Sequence, residues 1–186
     1  MLRSRWPVLL CALVSLHSFS GALVAAGDAW KDYGFLIGNW SGEGQGVPGQ
    51  AQARFSFAPD LQGKILVRKH TADIQAAEGR PASTHEDLMV VYRDGASKAT
   101  RAIYFDSEDH VIHYAATFTA DKETITFLSD ELPNQPRFRL SYTKRGEGRL
   151  AIKFEFAPPG KPGAFKTYAE GTAVRDKPRV GDREQR

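Results

Sequence analysis

The feature that most constrains this chain is a two-residue alternation of apolar and polar side chains that begins after Gly38 and recurs almost to the end. From Arg137 to Thr143, Phe138, Leu140 and Tyr142 alternate with Arg137, Arg139 and Ser141. From Arg149 to Phe156, Leu150, Ile152, Phe154 and Phe156 alternate with polar positions that include Lys153 and Glu155. Successive side chains of a strand point to opposite faces, so each run buries one face and wets the other. Ala51 to Phe57 follows the same rule, with Phe55 and Phe57 on the apolar side. Further strands are expected at Lys64–Ala72, His85–Arg93, Lys98–Phe105, Val111–Thr119, Glu123–Leu128 and Phe165–Val174. Short connections such as Asp94-Gly95, Ala120-Asp121-Lys122 and Lys144-Arg-Gly-Glu-Gly148 make sequence neighbours pair antiparallel. About ten one-sided strands either stack as a sandwich or close on themselves, and closure alone removes the exposed edges that invite aggregation. The expected fold is therefore all-β, a single antiparallel up-and-down β-barrel of about ten strands. A short N-terminal helix is added over Asp28–Ile37, where Asp28 caps and Trp30, Tyr33 and Ile37 fall at helical spacing.

At 186 residues, one domain is the natural division. Residues 1–26 read as a signal peptide, with Arg3 and Arg5 before a mostly apolar stretch and Val24-Ala25-Ala26 as the cleavage site. The barrel domain takes 27–175, and the polar residues 176–186, with Pro178 and Gly181, read as a disordered tail. The expected location is exported, periplasmic or secreted. Cys11, the sole cysteine, lies inside the signal, so the mature chain holds neither a disulfide nor a thiol nucleophile. Losing Arg3 and Arg5 takes the formal charge from +3 to +1, with basic and acidic residues interspersed. That distribution offers no nucleic-acid footprint and no membrane-binding stripe, and no stable membrane insertion is expected after cleavage.

The segment Phe35-Leu-Ile-Gly-Asn-Trp-Ser-Gly-Glu-Gly-Gln-Gly46 resembles the opening strand of the calycin superfamily, the lipocalin-like barrels. Within it the chain is most similar to nitrobindin-like and related secreted barrels of unknown function. Thr84-His-Glu-Asp87 and Tyr168-Ala-Glu-Gly-Thr-Ala-Val-Arg175 extend the resemblance. It implies that Gly38, Trp40 and Arg175 close the barrel, the tryptophan lying beneath the arginine of the last strand. It also raises haem, which nitrobindin-like proteins hold through a histidine near the start of the final strand. Here that stretch is Lys166-Thr-Tyr-Ala-Glu170, without histidine, so Tyr168 is the only residue there that could ligate iron. No cofactor is assigned.

The polar residues that could line a pocket are Arg68 and His70 on one strand, His85, Glu86 and Tyr92 on the next, then Arg101, Tyr104, Tyr142 and Tyr168. Both faces of His85–Arg93 are apolar, so alternation leaves open whether Glu86 points inward with Leu88, Val90 and Tyr92. His110 and His113 are three apart on a strand, which sends them to opposite faces and argues against a shared metal. Gly42-Glu-Gly-Gln-Gly46 lacks the strand before and helix after it that a phosphate loop needs. No catalytic constellation can be assembled from spacing. The expected role is binding of a small apolar or amphipathic molecule, since wide barrels enclose cavities. The alternative is an acid–base isomerase or hydrolase at the barrel mouth, built on His85, Glu86, Tyr92 and Arg101.

Overall fold

The computed structural model describes residues 29–46, 51–79 and 81–177. The expected signal segment, Asp28 and the expected tail beyond Lys177 lie outside the described residues. Ten strands form: β1 Gly38–Gly46, β2 Ala51–Asp60, β3 Ile65–Ile74, β4 Ser83–Arg93, β5 Thr100–Asp106, β6 Val111–Phe118, β7 Thr124–Ser129, β8 Arg137–Lys144, β9 Arg149–Ala157 and β10 Lys166–Arg175. Each pairs antiparallel with its neighbours in sequence, and β1 pairs with β10 to close the barrel.

The seam between β1 and β10 explains the glycines of the first strand. A Cβ on Gly42 would stand 2.8 Å from the Thr172 carbonyl oxygen, inside any real contact, so only glycine lets the two backbones approach this closely. Gly38 has φ +133°, and a Cβ there would meet Arg175 Nη1 at 2.6 Å.

Among the described residues, the helix expected over Asp28–Ile37 is not seen. Its place is taken by a single 3₁₀ turn, Lys31–Tyr33, in which Tyr33 N–H donates to the Trp30 carbonyl and Leu36 N–H to that of Tyr33. Trp30, Tyr33 and Leu36 are buried at intervals of three, the spacing that a 3₁₀ turn brings onto one face. The burial requirement thus selects Leu36 where helical periodicity had pointed to Ile37. These side chains plug the end of the barrel at which β1 begins. Trp30 Nε1 donates to the Gly63 carbonyl at 2.9 Å, and the Tyr33 ring meets Phe118 edge-on at 4.9 Å. Connections after β3, β5, β7 and β9 lie at the opposite end.

Inside, Phe55 and Phe57 of β2, Leu66 of β3, Met89 and Val91 of β4, Tyr114 of β6, Ile125 and Phe127 of β7, and Tyr142 of β8 are buried in one cluster. Burying each such side chain is worth about 1.5–3 kcal/mol. On β6, Ile112, Ala116 and Phe118 pack with Tyr114 on this cluster, while His113 is exposed on the outer face. Outward positions carry their own chemistry on β8 and β9. Arg139 grips Glu155 bidentately, at 2.7 Å from Nε and 2.9 Å from Nη2, and its guanidinium lies 4.2 Å from the Phe165 ring.

Candidate functional site

Alternation along β3 turns Leu66, Arg68, His70 and Ala72 inward, and along β4 it turns His85, Asp87, Met89 and Val91 inward. The β3–β4 register sets His70 opposite Asp87, Ala72 opposite His85 and Arg68 opposite Met89. Arg68 and Asp87 are therefore diagonal neighbours on the inner face, within reach of long side chains. Their exposures are 6% and 9%, so this is a buried ion pair. Arg68 Nη1 donates to Asp87 Oδ1. The other carboxylate oxygen lies 2.7 Å from His70 Nδ1 and 3.5 Å from His85 Nε2. His85 also reaches the Tyr104 hydroxyl from Nε2 and Glu108 Oε1 from Nδ1, each at 3.3 Å. The guanidinium is stacked beside Phe55, 5.7 Å from its centroid.

These contacts set the charge states. Burial alone would raise the Asp87 pKa, but the Arg68 guanidinium and the two imidazoles outweigh it and hold the carboxyl well below the usual range. Burial, reinforced by Arg68, lowers His70 and keeps it neutral at neutral pH. His85 is shifted the other way, its hydrogen bond to Asp87 outweighing desolvation. Burial pushes Tyr142 up to about 12 and raises Tyr104 and Tyr114 as well, so all three hydroxyls stay protonated.

Two buried polar atoms in this region make no well-formed hydrogen bond, Arg68 Nε and the Tyr142 hydroxyl, although the Arg68 side chain lies close enough to the hydroxyl to offset part of the burial effect on it. Tyr142 sits on β8, fully buried against Phe55, Phe57 and Phe127. On the side of the interior formed by β8 to β10, Phe138 and Phe154 stack at 5.8 Å, and Tyr168 meets Phe154 and Phe156 edge-on at 5.9 and 6.4 Å. Tyr168 occupies an irregularity in β10, between Thr167 and Ala169, and is 48% exposed. It is a rim residue above an aromatic wall.

The structure brings together Arg68, His70, His85 and Tyr104, with Tyr142 buried among the same aromatic side chains. It does not bring Glu86, Tyr92 or Arg101 to them. Glu86 and Tyr92 share the outward register of β4 with Leu88 and Val90, because Asp87, Met89 and Val91 take the inward one. Arg101 shares the outer face of β5 with Ile103 and Phe105 and pairs with Asp130 at 2.5 Å. The proposed mouth enzyme built on these three and His85 therefore loses its convergence. Asp87, the hub of the cluster, belongs to the Thr84–Asp87 segment of the resemblance but is absent from the pocket residues expected from sequence. Its signal lay in pairing: a buried arginine on the inner face of β3 needs an anion, and Asp87 is the acid on the Met89 and Val91 register of the next strand.

At the plugged end, Arg175 lies over the Trp40 ring with Cζ 4.4 Å from the centroid. Its Nη1 donates to the Ile37 carbonyl and its Nη2 to that of Phe35 at 2.9 Å, while Trp40 Nε1 donates to the Leu36 carbonyl at 2.7 Å. Such a cation–π contact is worth about 0.5–2 kcal/mol. Strand pairing runs one residue past Arg175, as Asp176 N–H donates to the Asn39 carbonyl.

Fold and interior together define a closed ten-stranded antiparallel barrel with a buried polar cluster. Among solved structures it is similar to Rv2717c from M. tuberculosis, with a TM-score of 0.55 and 14% identity over 81% of this chain and 98% of that one. It is also similar to the S-type phycobiliprotein lyase CpeS from Guillardia theta, with a TM-score of 0.50 and 10% identity over 81% and 94%. At such identities the likeness is one of fold. No protein-family model matches the sequence, and no curated protein matches it.

Proposed function

We propose that the barrel binds a small amphipathic molecule whose hydrogen-bond-accepting head meets Arg68 Nε–H and the Tyr142 hydroxyl, with its apolar body along Phe138, Phe154, Phe156 and Tyr168. The observation that carries this reading is the pair of unpartnered buried donors. A buried donor left unpaired costs about 1–3 kcal/mol, which a ligand oxygen recovers. The aromatic wall supplies apolar area beside them, the usual composition of a small-molecule site. A carboxylate or carbonyl head fits best, because Arg68 Nε–H and the tyrosine O–H can both donate to it and Arg68 is permanently charged. The reading treats the chain as a lipocalin-like calycin acting after export, which the basic and apolar opening and Val24-Ala25-Ala26 support.

The test is a titration of the purified chain with a fluorescent long-chain carboxylic acid and with its methyl ester. Saturable one-to-one binding of the acid, weakened in Tyr142→Phe, is expected. An interior that takes up neither probe overturns the proposal.

A further inference from the structure

We infer that His70, His85 and Asp87 form a binding site for a divalent transition-metal ion. Sequence spacing drew attention to His110 and His113, but His110 is exposed in a turn on Asp106 and His113 faces outward. The strands assemble a different set. One ligand atom from each of His70, His85 and Asp87 lies within 4.8 Å of the others, on adjacent strands of the inner face.

Three features distinguish this cluster from a chance ion pair. The first is spacing. Ligand atoms around a four-coordinate ion with bonds of about 2.0–2.2 Å stand about 3.3–3.5 Å apart. His85 Nε2 and Asp87 Oδ2 are separated by 3.5 Å, and His70 Nδ1 lies 2.7 Å from the same oxygen. Opening the second distance by less than about 1 Å brings both pairs to ligand spacing, and the two imidazole nitrogens lie within 4.8 Å of each other. The second is outer support. Glu108 stands 3.3 Å from His85 Nδ1, so a proton on that nitrogen leaves the Nε2 lone pair for the metal. Asp87 Oδ1 is held by Arg68, which orients the carboxylate from the side away from the imidazoles. The third is availability of another oxygen: the Tyr104 hydroxyl is 3.3 Å from His85 Nε2. Two imidazoles and one carboxylate suit zinc, cobalt or iron(II), whereas calcium and magnesium favour all-oxygen sets. All three ligand residues sit on strands, which hold side chains more precisely than loops do.

The ion would use nitrogens and an oxygen that the proposed organic ligand does not, so the inference stands apart from that reading and is tested without such a ligand. The untagged chain, stripped with a chelator, is titrated with Co²⁺ and followed by its visible absorption. One equivalent per chain is expected, with d–d bands that saturate. His70→Ala and His85→Gln should each weaken uptake by more than the roughly 10–100-fold that loss of an outer-shell partner costs, while His113→Ala leaves it unchanged. Circular dichroism reports whether each variant is folded, and the partly exposed His85 keeps the test usable if His70→Ala fails to fold. Absence of one-to-one uptake at millimolar Co²⁺ overturns the inference, as does uptake in His85→Gln equal to that of the parent chain.

Discussion

Replacing Tyr142 by phenylalanine removes one atom, and it separates a binding role for the site from a structural one. The Tyr142 ring is fully buried against Phe55, Phe57 and Phe127, so phenylalanine fills the same space with the same aromatic contacts. The hydroxyl makes no well-formed hydrogen bond, and a fully unpaired buried hydroxyl costs about 1–3 kcal/mol. With the Arg68 side chain beside it offsetting part of that cost, Tyr142→Phe should stabilise the ligand-free barrel by at most about 1–3 kcal/mol, which for a domain of this size is about 2–4 °C in Tm per kcal/mol. It should also weaken a carboxylate probe by the worth of one neutral hydrogen bond, about 0.5–1.5 kcal/mol, or about 2- to 13-fold in Kd. Urea denaturation at fixed pH measures the first, with an unchanged m-value, and fluorescence titration the second. Gain of stability with loss of affinity marks a group held ready for a ligand. A Tyr142→Phe protein that is less stable and binds the probe as before refutes the reasoning, because the hydroxyl would then serve the fold.

Further outcomes follow from the same geometry. Arg68→Met should cost about 3–5 kcal/mol in urea denaturation because it strands the Asp87 carboxylate in the interior, and Arg68→Met with Asp87→Asn should cost much less than the sum of the two single changes. Gly42→Ala should destabilise by about 1–3 kcal/mol in the same assay, since its Cβ would press on the Thr172 carbonyl and part β1 from β10. The hydrogen bonds from Arg139 hold Glu155 below its ordinary 4.5, so that pair stabilises the fold above about pH 4.5 and loses its effect as pH falls through the depressed folded value. Glu155→Gln should accordingly flatten that part of the acid limb of the stability profile. Protein recovered from an exporting host should begin at Gly27 by intact mass, and a retained N-terminus would contradict the signal-peptide assignment.

The barrel was legible because two-residue alternation reports burial strand by strand, and short connections leave little choice of pairing. The N-terminal segment was harder. Trp30, Tyr33 and Leu36 serve as a plug, and tertiary burial chose a tighter turn than local periodicity suggested. On β4 both registers are apolar, Met89 and Val91 against Leu88, Val90 and Tyr92, so only the register with β3 reveals that Asp87 faces in and Glu86 out. Arg101 shows the opposite hazard: Ile103 and Phe105 beside it are apolar residues on the outer surface, and their alternation says nothing about which face is the core. The role of Asp87 escaped notice because the residues that give it meaning, Arg68 and His70, are 19 and 17 positions earlier in the chain. Pairwise chemistry across strands is invisible to a scan along one of them.

The central claim is that the inner face of β3 and β8 presents donors to a ligand head, and the Arg68 side chain can be observed directly. In a ¹⁵N-labelled chain, the Arg68 Nε–H resonance, assigned by its loss in Arg68→Met, should move downfield when the long-chain carboxylic acid is added, and should move little with the methyl ester. A probe that binds one-to-one while this resonance stays in place would show that the ligand sits elsewhere, and the account of the site would be wrong.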